Sequence, residues 1–273
     1  MKIAYVCTNY NNSNLTSNAV NSLHREGPDE FLSVIVDNNS DSENKQILKA
    51  FSKDRNDIMV IWNEENIGYF RGLNLGIRYA KRAMNGLEFM FIGNNDLLFP
   101  VDIIKKLENV QERINCFPVI SPDIITLDMQ HQNPHVISKI SKFREMVYDL
   151  YHLNYVFAQM IQKMSKWTRR LTDRADEQEW EVGQFIHQGY GACYILTPRF
   201  WDHFEELWAP SFLMGEEYFL SKQLRDVDMD VYYEPSIVVQ HICHATMSKV
   251  PSRLMWEFSR QAHKVRRKFV KIF

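Results

Sequence analysis

The first half of the chain alternates short apolar runs with amphipathic stretches. Lys2–Cys7, Phe31–Val36 (FLSVIV), Ile58–Trp62 (IMVIW), Glu88–Ile92 (EFMFI) and Phe117–Ser121 are apolar runs bounded by polar residues, which predicts five buried strands. Between them, Leu15–Arg25, Ser42–Ser52, Gly68–Met84 and Ile103–Arg113 carry apolar residues at helical spacing. Leu73, Ile77 and Ala80 mark the buried face of the third, and Asn11, Asn12 and Ser13 offer caps for the first. Strand–helix alternation with short connections predicts an α/β fold: a mainly parallel sheet covered by helices on both faces.

The second half reads differently. Ser138–Asp173 is one long aromatic and basic helical stretch, an inserted helical pair or lid within residues 135–180. Gly189–Leu196 reads as a strand, Phe200–Leu207 and Gly215–Val227 as helices, and Val231–Glu234 and Ile237–Gln240 as two short strands. No internal repeat is visible. Residues 1–250 are expected to form the main unit and 251–273 a C-terminal helix.

In that helix Met255, Phe258, Ala262, Val265, Phe269 and Ile272 recur every three or four residues with cations between them. Residues 253–273 hold Arg253, Arg260, Lys264, Arg266, Arg267, Lys268 and Lys271 against the single Glu257, in a chain of net charge −2. Two readings stand side by side: a helix lying on an anionic membrane surface, or one packed on the main domain with a solvated basic face. The aromatic insertion is a second candidate for contact with a membrane or a lipid-linked acceptor.

Length and composition restrict the classes. The 273 residues suffice for a sizeable core, and 45% hydrophobic with 24% charged residues is ordinary for a globular protein. The near-neutral balance gives no reason to expect a nucleic-acid partner. Cys7, Cys116, Cys193 and Cys243 form no Cys-x-x-Cys spacing, so a reducing compartment is expected. The apolar run after Met1-Lys2 is too short for a signal peptide, and no stretch of 18 apolar residues occurs. The expected location is cytoplasmic, or peripheral at the inner membrane face.

Candidate chemistry sits after the strands. Thr8-Asn9, Asp37-Asn38-Asn39 and Asn94-Asn95-Asp96 each follow a predicted strand. In open α/β sheets ligands bind beyond the carboxyl ends of the strands, so three such clusters converge on one cleft.

Six segments in order resemble a family-two glycosyltransferase with the GT-A fold, and most of all its bacterial rhamnosyltransferase-like branch. They are IAYVCTNYNN (3–12), VIVDNNSDS (34–42), NEENIGYFRGLNLGI (63–77), FMFIGNNDLLFP (89–100), GYGACYILTPRFWDHF (189–204) and FLMGEEYFLSKQL with VYYEPSIVVQH (212–241). The resemblance spans about Ile3 to Thr246. It implies an inverting transfer of a sugar from a UDP- or dTDP-linked donor to a hydroxyl of a glycan or lipid-linked acceptor in surface polysaccharide assembly.

The resemblance also implies roles. Asp37 would accept the imide N–H of a pyrimidine, or else only close an Asx turn. Thr8, Asn9 and Tyr10 would line the base and ribose pocket, and Asn39 would contact the donor. Asn66, Gly68, Arg71 and Asn74 would bind the donor, with backbone amides at a helix start and Arg71 reaching its diphosphate, or else form only a helix cap beside a solvent-exposed Arg. Asn94 and Asn95 would contact the donor. Asp96 stands at the last position of the family's Asp-x-Asp, with His241, as ligand of Mg²⁺ or Mn²⁺. Glu217 would be the general base and Glu216 its orienting neighbour. Gly189, Gly191 and Ala192 would let acceptor-side backbone come close, and Trp201 and Trp208 could stack on sugars or fill the core. His244 is a structural or phosphate neighbour, and His24 and His203 are structural. The Asn94 and Glu217 departures leave a second reading, a nucleotide-sugar-binding protein of this fold without turnover. A nucleotidyltransferase would need a Gly-rich, basic loop after the first strand, which Tyr10–Ser13 does not supply.

Overall fold

The computed structural model describes residues 1–23, 30–138, 140–172, 179–242 and 252–270, with the backbone alone for 165–172. The early apolar runs become β1 (Lys2–Asn9), β2 (Glu30–Asp37), β3 (Ile58–Trp62) and β4 (Phe89–Gly93). They alternate with α1 (Ser13–Leu23), α2 (Ser42–Ser52) and α3 (Tyr69–Ala83). Then follow β5 (Leu97–Leu98), α4 (Ile103–Ile114), β6 (Val119–Thr126), α5 (Lys142–Leu153), α6 (Tyr155–Thr172) and β7 (Gln184–Ile186). The chain continues through β8 (Cys193–Leu196), α7 (Pro198–Trp201), α8 (Glu216–Arg225), β9 (Val231–His241) and α9 (Ser252–Arg266).

Among the described residues these strands make one sheet in the order β3-β2-β1-β4-β8-β6-β9-β5, with β7 paired to β9. The β3-β2-β1-β4 half is parallel, as the alternation predicts. The second half is mixed: β8 runs antiparallel to β4 and β6, while β9 is parallel to β6. Side chains of a strand alternate between faces. Ile3, Tyr5 and Cys7 therefore join Val20, Leu48, Ile103 and Leu107 in one core layer. Ala4 and Val6 join Leu73, Ile77, Phe200, Leu220 and Leu224 in the other. Helices cover both faces.

Several boundaries differ from the sequence reading, for physical reasons. The two short strands at 231–240 are one strand, β9. Its register against β6 shifts at Pro122/Asp123, leaving Pro235, Ser236 and Ile237 without partners in β6. Pro235 cannot donate to the ladder, and Ser236 turns its N–H to Glu234 Oε1 at 3.1 Å, so the strand bulges and continues. Of Gly189–Leu196 only Cys193–Leu196 is strand, because the backbone before it turns across the sheet edge. The helix expected over Phe200–Leu207 stops at Trp201. Strands β5 and β7, of two and three residues, carry too little pattern to be seen in sequence.

The inserted stretch forms the helical pair α5–α6. The apolar side of α9 packs on the main unit: Ala262 lies with Tyr218, Phe219, Trp208 and Val265. Its polar side docks on α5. Trp256 Nε1 donates to Tyr151 O at 3.0 Å, Arg260 Nε to His152 O at 2.9 Å, and Arg267 Nε meets Asp149 Oδ1 at 2.9 Å. Arg266 pairs with Glu145. Of the two readings for this helix, the packed one describes the structure, and most of its cations have protein partners. No described helix is long and apolar enough to cross a membrane.

The α5–α9 seam contains a stacked histidine pair, His152 on His263, with ring centroids 4.2 Å apart. Burial, then the neighbouring His263, pushes His152 down from 6.5 to about 4. Burial also lowers His263, against the opposing pull of Asp149. A histidine depressed in the docked state binds its proton better undocked, so docking is fully stable above about pH 6.5 and weakens as pH falls toward 4. Hydrogen exchange of α9, corrected for intrinsic rate, should be flat above pH 7 and rise below pH 6. Protection that stays constant down to pH 4.5 refutes this linkage.

Candidate functional site

Topology brings the polar clusters together before any side chain is considered. The carboxyl ends of β1, β2, β3, β4, β6 and β9 lie along one sheet edge, and antiparallel β8 begins there. Asn9, Asp37, Asn63, Asn94–Asp96, Gly191 and His241 all occupy this edge.

The first cluster is a buried hydrogen-bond lattice. Asn9 Nδ2 donates to Asp37 Oδ2 at 2.8 Å and to Ser40 Oγ at 3.0 Å. Asn9 Oδ1 accepts from Thr16 Oγ1 at 2.8 Å and from Asn95 Nδ2 at 3.2 Å. Asp37 Oδ1 closes a turn by accepting Ser40 N at 2.9 Å. Asp37 and Asn9 are fully buried, and both carboxyl oxygens of Asp37 are bonded within this lattice. Asn95 also donates to Thr16 Oγ1 at 2.8 Å and faces inward. Thr8 is half-buried and Tyr10 is exposed, so these two carry the accessible rim. Asn39 is exposed with positive φ and accepts from Lys45 Nζ at 2.8 Å.

The second cluster is built around His241, the last residue of β9. Its Nδ1 lies 2.8 Å from Gln132 Oε1, an atom that can only accept. Nδ1 therefore carries the proton, and in the neutral ring Nε2 keeps its lone pair. That Nε2 stands 3.1 Å from Asp96 Oδ1 and 3.3 Å from Asn94 Nδ2. Asp96 Oδ1 is buried and has no hydrogen-bond partner in the structure. An imidazole nitrogen and a carboxylate oxygen thus converge, with Asn94 Nδ2 beside them. This donor pair fits a divalent cation. No set of three His, Cys, Asp or Glu side chains gathers among the described residues. His24 and His244 lie outside the described residues.

The third cluster opens α8. Gly215 adopts φ +80°, which turns the chain into the helix, and Glu216 and Glu217 occupy the first turn, where the helix dipole favours negative charge. Glu217 Oε1 accepts from Gly191 N at 3.3 Å, at the sheet edge. A side chain at Gly191 would sit 2.7 Å from that oxygen, so the close approach the glycine permits is to Glu217. Tyr69 Oη donates to Gly191 O at 3.1 Å. Glu216 is buried, and burial plus the Glu217 charge raises its carboxyl to about 8. Glu217, by contrast, is half-buried and directed to the edge. Gly93 and Asn94 link this cluster to the second, because Asn94 N donates to Ala192 O at 2.9 Å.

The start of α3 is committed to the protein itself. Asn66 Oδ1 takes Gly68 N at 3.0 Å, and Tyr69 N donates to Phe212 O at 3.1 Å. Gly68 is required because φ is +91° and a Cβ would lie 2.2 Å from Phe212 O. These two amides are not available to a phosphate. Asn74 is a correction as well. Its amide bonds both backbone atoms of Leu207, Nδ2 to O at 2.8 Å and Oδ1 from N at 2.9 Å, so it is a clamp and not a donor contact. Arg71 is exposed and its Nε reaches Ala209 O at 3.3 Å, beside an open cleft of about 490 Å³ that Glu206 and Trp208 also line. Trp208 packs on Phe219 and Phe269, and Trp201 joins the core under Lys81. Gly189 is small because Ser121 Oγ and Tyr194 crowd it. His203 is exposed.

Sequence reasoning missed Gln132, Tyr5 and Tyr69. Gln132 lies in a polar loop with no motif, and Tyr5, whose hydroxyl donates to Asn94 O, reads only as a core residue.

The sequence profile of glycosyl transferase family 2 matches residues 6–166, more than half of the chain. No curated protein matches by sequence. Solved structures match by fold. GalNAc-T7 with UDP, GalNAc and Mn²⁺ aligns at 13% identity and TM-score 0.56 over 90% of this chain. S. aureus TarS 1-349 with UDP-GlcNAc aligns at 14% and 0.53 over 92%. Mannosyltransferase PcManGT from Pyrobaculum calidifontis with GDP-Man and Mn²⁺ aligns at 11% and 0.56 over 98%. The chain spans 44%, 62% and 64% of those three chains.

Two substitutions test these assignments. Gln132→Leu removes the acceptor that fixes the His241 tautomer and should weaken Mn²⁺ binding roughly 10–100-fold by calorimetry, with little change in thermal stability. Unchanged Mn²⁺ affinity refutes the arrangement. Asn74→Ala strands two buried backbone groups of Leu207 and should lower unfolding free energy by about 2–4 kcal/mol in urea titration. A loss below about 0.5 kcal/mol contradicts the clamp.

Proposed function

This chain belongs to glycosyl transferase family 2, and we propose that it transfers a sugar from a nucleoside-diphosphate donor to an acceptor hydroxyl at the edge formed by Asp96, His241 and Glu217. The observation that carries the reading is the partnerless buried oxygen of Asp96 facing His241 Nε2, seated on the same edge as Glu217. Asp96 and His241 would hold Mg²⁺ or Mn²⁺, with the donor's phosphate oxygens and water completing the shell. When bound, the cation offsets the negative charge that grows on the leaving diphosphate. Two of the solved structures of similar fold contain Mn²⁺, which supports a divalent cation here.

Glu217 is assigned as the base. A general base must first reach the proton it takes, and only then have a suitable proton affinity. Glu217 points to the edge beside Gly191; Glu216 is secluded near Tyr69 and Tyr194. At neutral pH Glu216 holds its proton. It adds no second charge next to Glu217 and leaves that carboxylate free to accept the acceptor hydroxyl's proton. The deprotonated oxygen attacks the anomeric carbon from the side opposite the diphosphate, the carbon–diphosphate bond breaks, and configuration inverts without a covalent intermediate.

The donor's base would rest on the rim of Thr8 and Tyr10. Asp37 supports that rim through Asn9 and Ser40. A UDP- or dTDP-linked donor, and a place in the rhamnosyltransferase-like branch, rest on the resemblance of the strand-two Asp37 and of Asn94-Asn95-Asp96. The acceptor would be a glycan or a lipid-linked glycan of surface polysaccharide assembly.

Donor hydrolysis or transfer should require Mn²⁺ or Mg²⁺ and fall roughly 10²–10⁴-fold in Glu217→Gln, with donor affinity retained. Glu216→Gln should lose less, since its group is already protonated. Donor binding without any turnover in the native protein, across UDP-, dTDP- and GDP-sugars, would favour a binding protein instead.

A further inference from the structure

The α5–α6 hairpin carries eight of the nineteen exposed large hydrophobic residues of the described structure. On α5, Phe143 is 73% exposed, and Met146, Leu150 and Leu153 follow it at helical spacing along one stripe. On α6, Val156, Phe157, Met160 and Met164 form a second stripe, with Met164 63% exposed. None of these side chains joins either core layer or the cluster around α9. Scattered apolar residues on a surface need no explanation, but two continuous stripes on adjoining helices do.

Charge says what covers them. Residues 139–172 contain seven Lys or Arg and two acids. Both acids turn to α9: Glu145 is buried against Arg266, and Asp149 meets His263 and Arg267. Lys142 and Lys163 are exposed beside the apolar stripes. A second copy of the chain would bring the same cations to the same cations. An anionic lipid surface offers the opposite charge and an apolar interior for Phe, Leu, Val and Met.

We propose that the α5–α6 hairpin, and not α9, docks this protein on anionic membrane surface. The hairpin lies in the plane of the headgroups with Phe143, Leu150, Leu153, Val156, Met160 and Met164 inserted. Lys142 and Lys163 sit among the lipid phosphates. This inference does not rest on the transferase reading, and its readout is binding alone.

The test is co-sedimentation of the full chain with vesicles of phosphatidylcholine containing 30 mol% phosphatidylglycerol, and with pure phosphatidylcholine, as roughly one-third anionic lipid supplies the field that attracts juxtamembrane cations. Binding to the anionic vesicles is expected, at least tenfold weaker to the neutral ones and weakened by salt. Phe143→Ser/Leu153→Ser/Val156→Ser, all exposed positions, should cut binding at least tenfold with melting temperature unchanged. Lys142→Glu/Lys163→Glu should do the same and guards against a folding defect in the first variant. Removal of the side chains' cation or apolar character without effect overturns the proposal, as does absence of binding by the native chain. A concentration-dependent dimer by ultracentrifugation that the serine variant dissolves, with no vesicle binding, assigns the stripes to self-association instead.

Discussion

The carboxamide of Asn9 is the contact on which the edge depends. It is fully buried at the end of β1 and bonds Asp37 at the end of β2, Thr16 in α1, and Asn95 just past β4. A buried amide left without partners is costly, so each of these groups must be in place for the others to be tolerated. The lattice fixes the path of the chain after β4, and that path delivers Asp96 to His241 and leaves one of its oxygens without a hydrogen-bond partner. The site's charge is thus held by a scaffold of amides and hydroxyls gathered around the buried Asp37 carboxyl.

Opposed demands meet at the two acidic positions. Asp96 keeps an unmet acceptor beside an imidazole, an arrangement that favours a cation. Glu216 and Glu217 resolve the crowding of adjacent carboxyls by burying one, which raises it to about 8 and keeps it neutral. On the proposed reading, the sheet edge separates a cation-holding region at Asp96 and His241 from a proton-accepting one at Glu217. Gly93, Asn94 and Gly191 join the two through backbone bonds, with no flexible side chain between them.

The parallel half of the fold was legible in sequence because each strand is a short apolar run followed by a turn-forming cluster, and the period of the helices is clear. The mixed half was harder to read. Pro235 breaks the apolar pattern of β9 without breaking the strand, and the two- and three-residue strands have no pattern to show. Placement was legible for Asp96, which follows β4, and for His241, which ends β9; the structure sets the two 3.1 Å apart. It was not legible where the role depends on a long-range partner. Asn74 resembles a donor ligand until Leu207 is seen to occupy both ends of its amide. Gln132 has no signal at all until β9 brings His241 to it. Asp37 and Asn39 illustrate the same limit from the other side, since turn geometry and ligand binding draw on the same residue types.

The C-terminal basic segment was ambiguous for a reason that charge counts cannot resolve. Cations on an amphipathic helix suit a lipid surface and a neighbouring acidic helix equally well. The structure places Glu145 and Asp149 of α5 opposite Arg266 and Arg267. It also sets Arg266 over the ring of Tyr218, one turn into α8. Phe258 of α9 meets Phe212, whose carbonyl receives Tyr69 N at the start of α3. The insertion, the last helix and the helix bearing Glu216 and Glu217 are thus one packed assembly. Any surface that holds the hairpin also sets the orientation of the edge where the carboxylates converge, and an acceptor carried in that surface would meet Glu217 from a fixed direction.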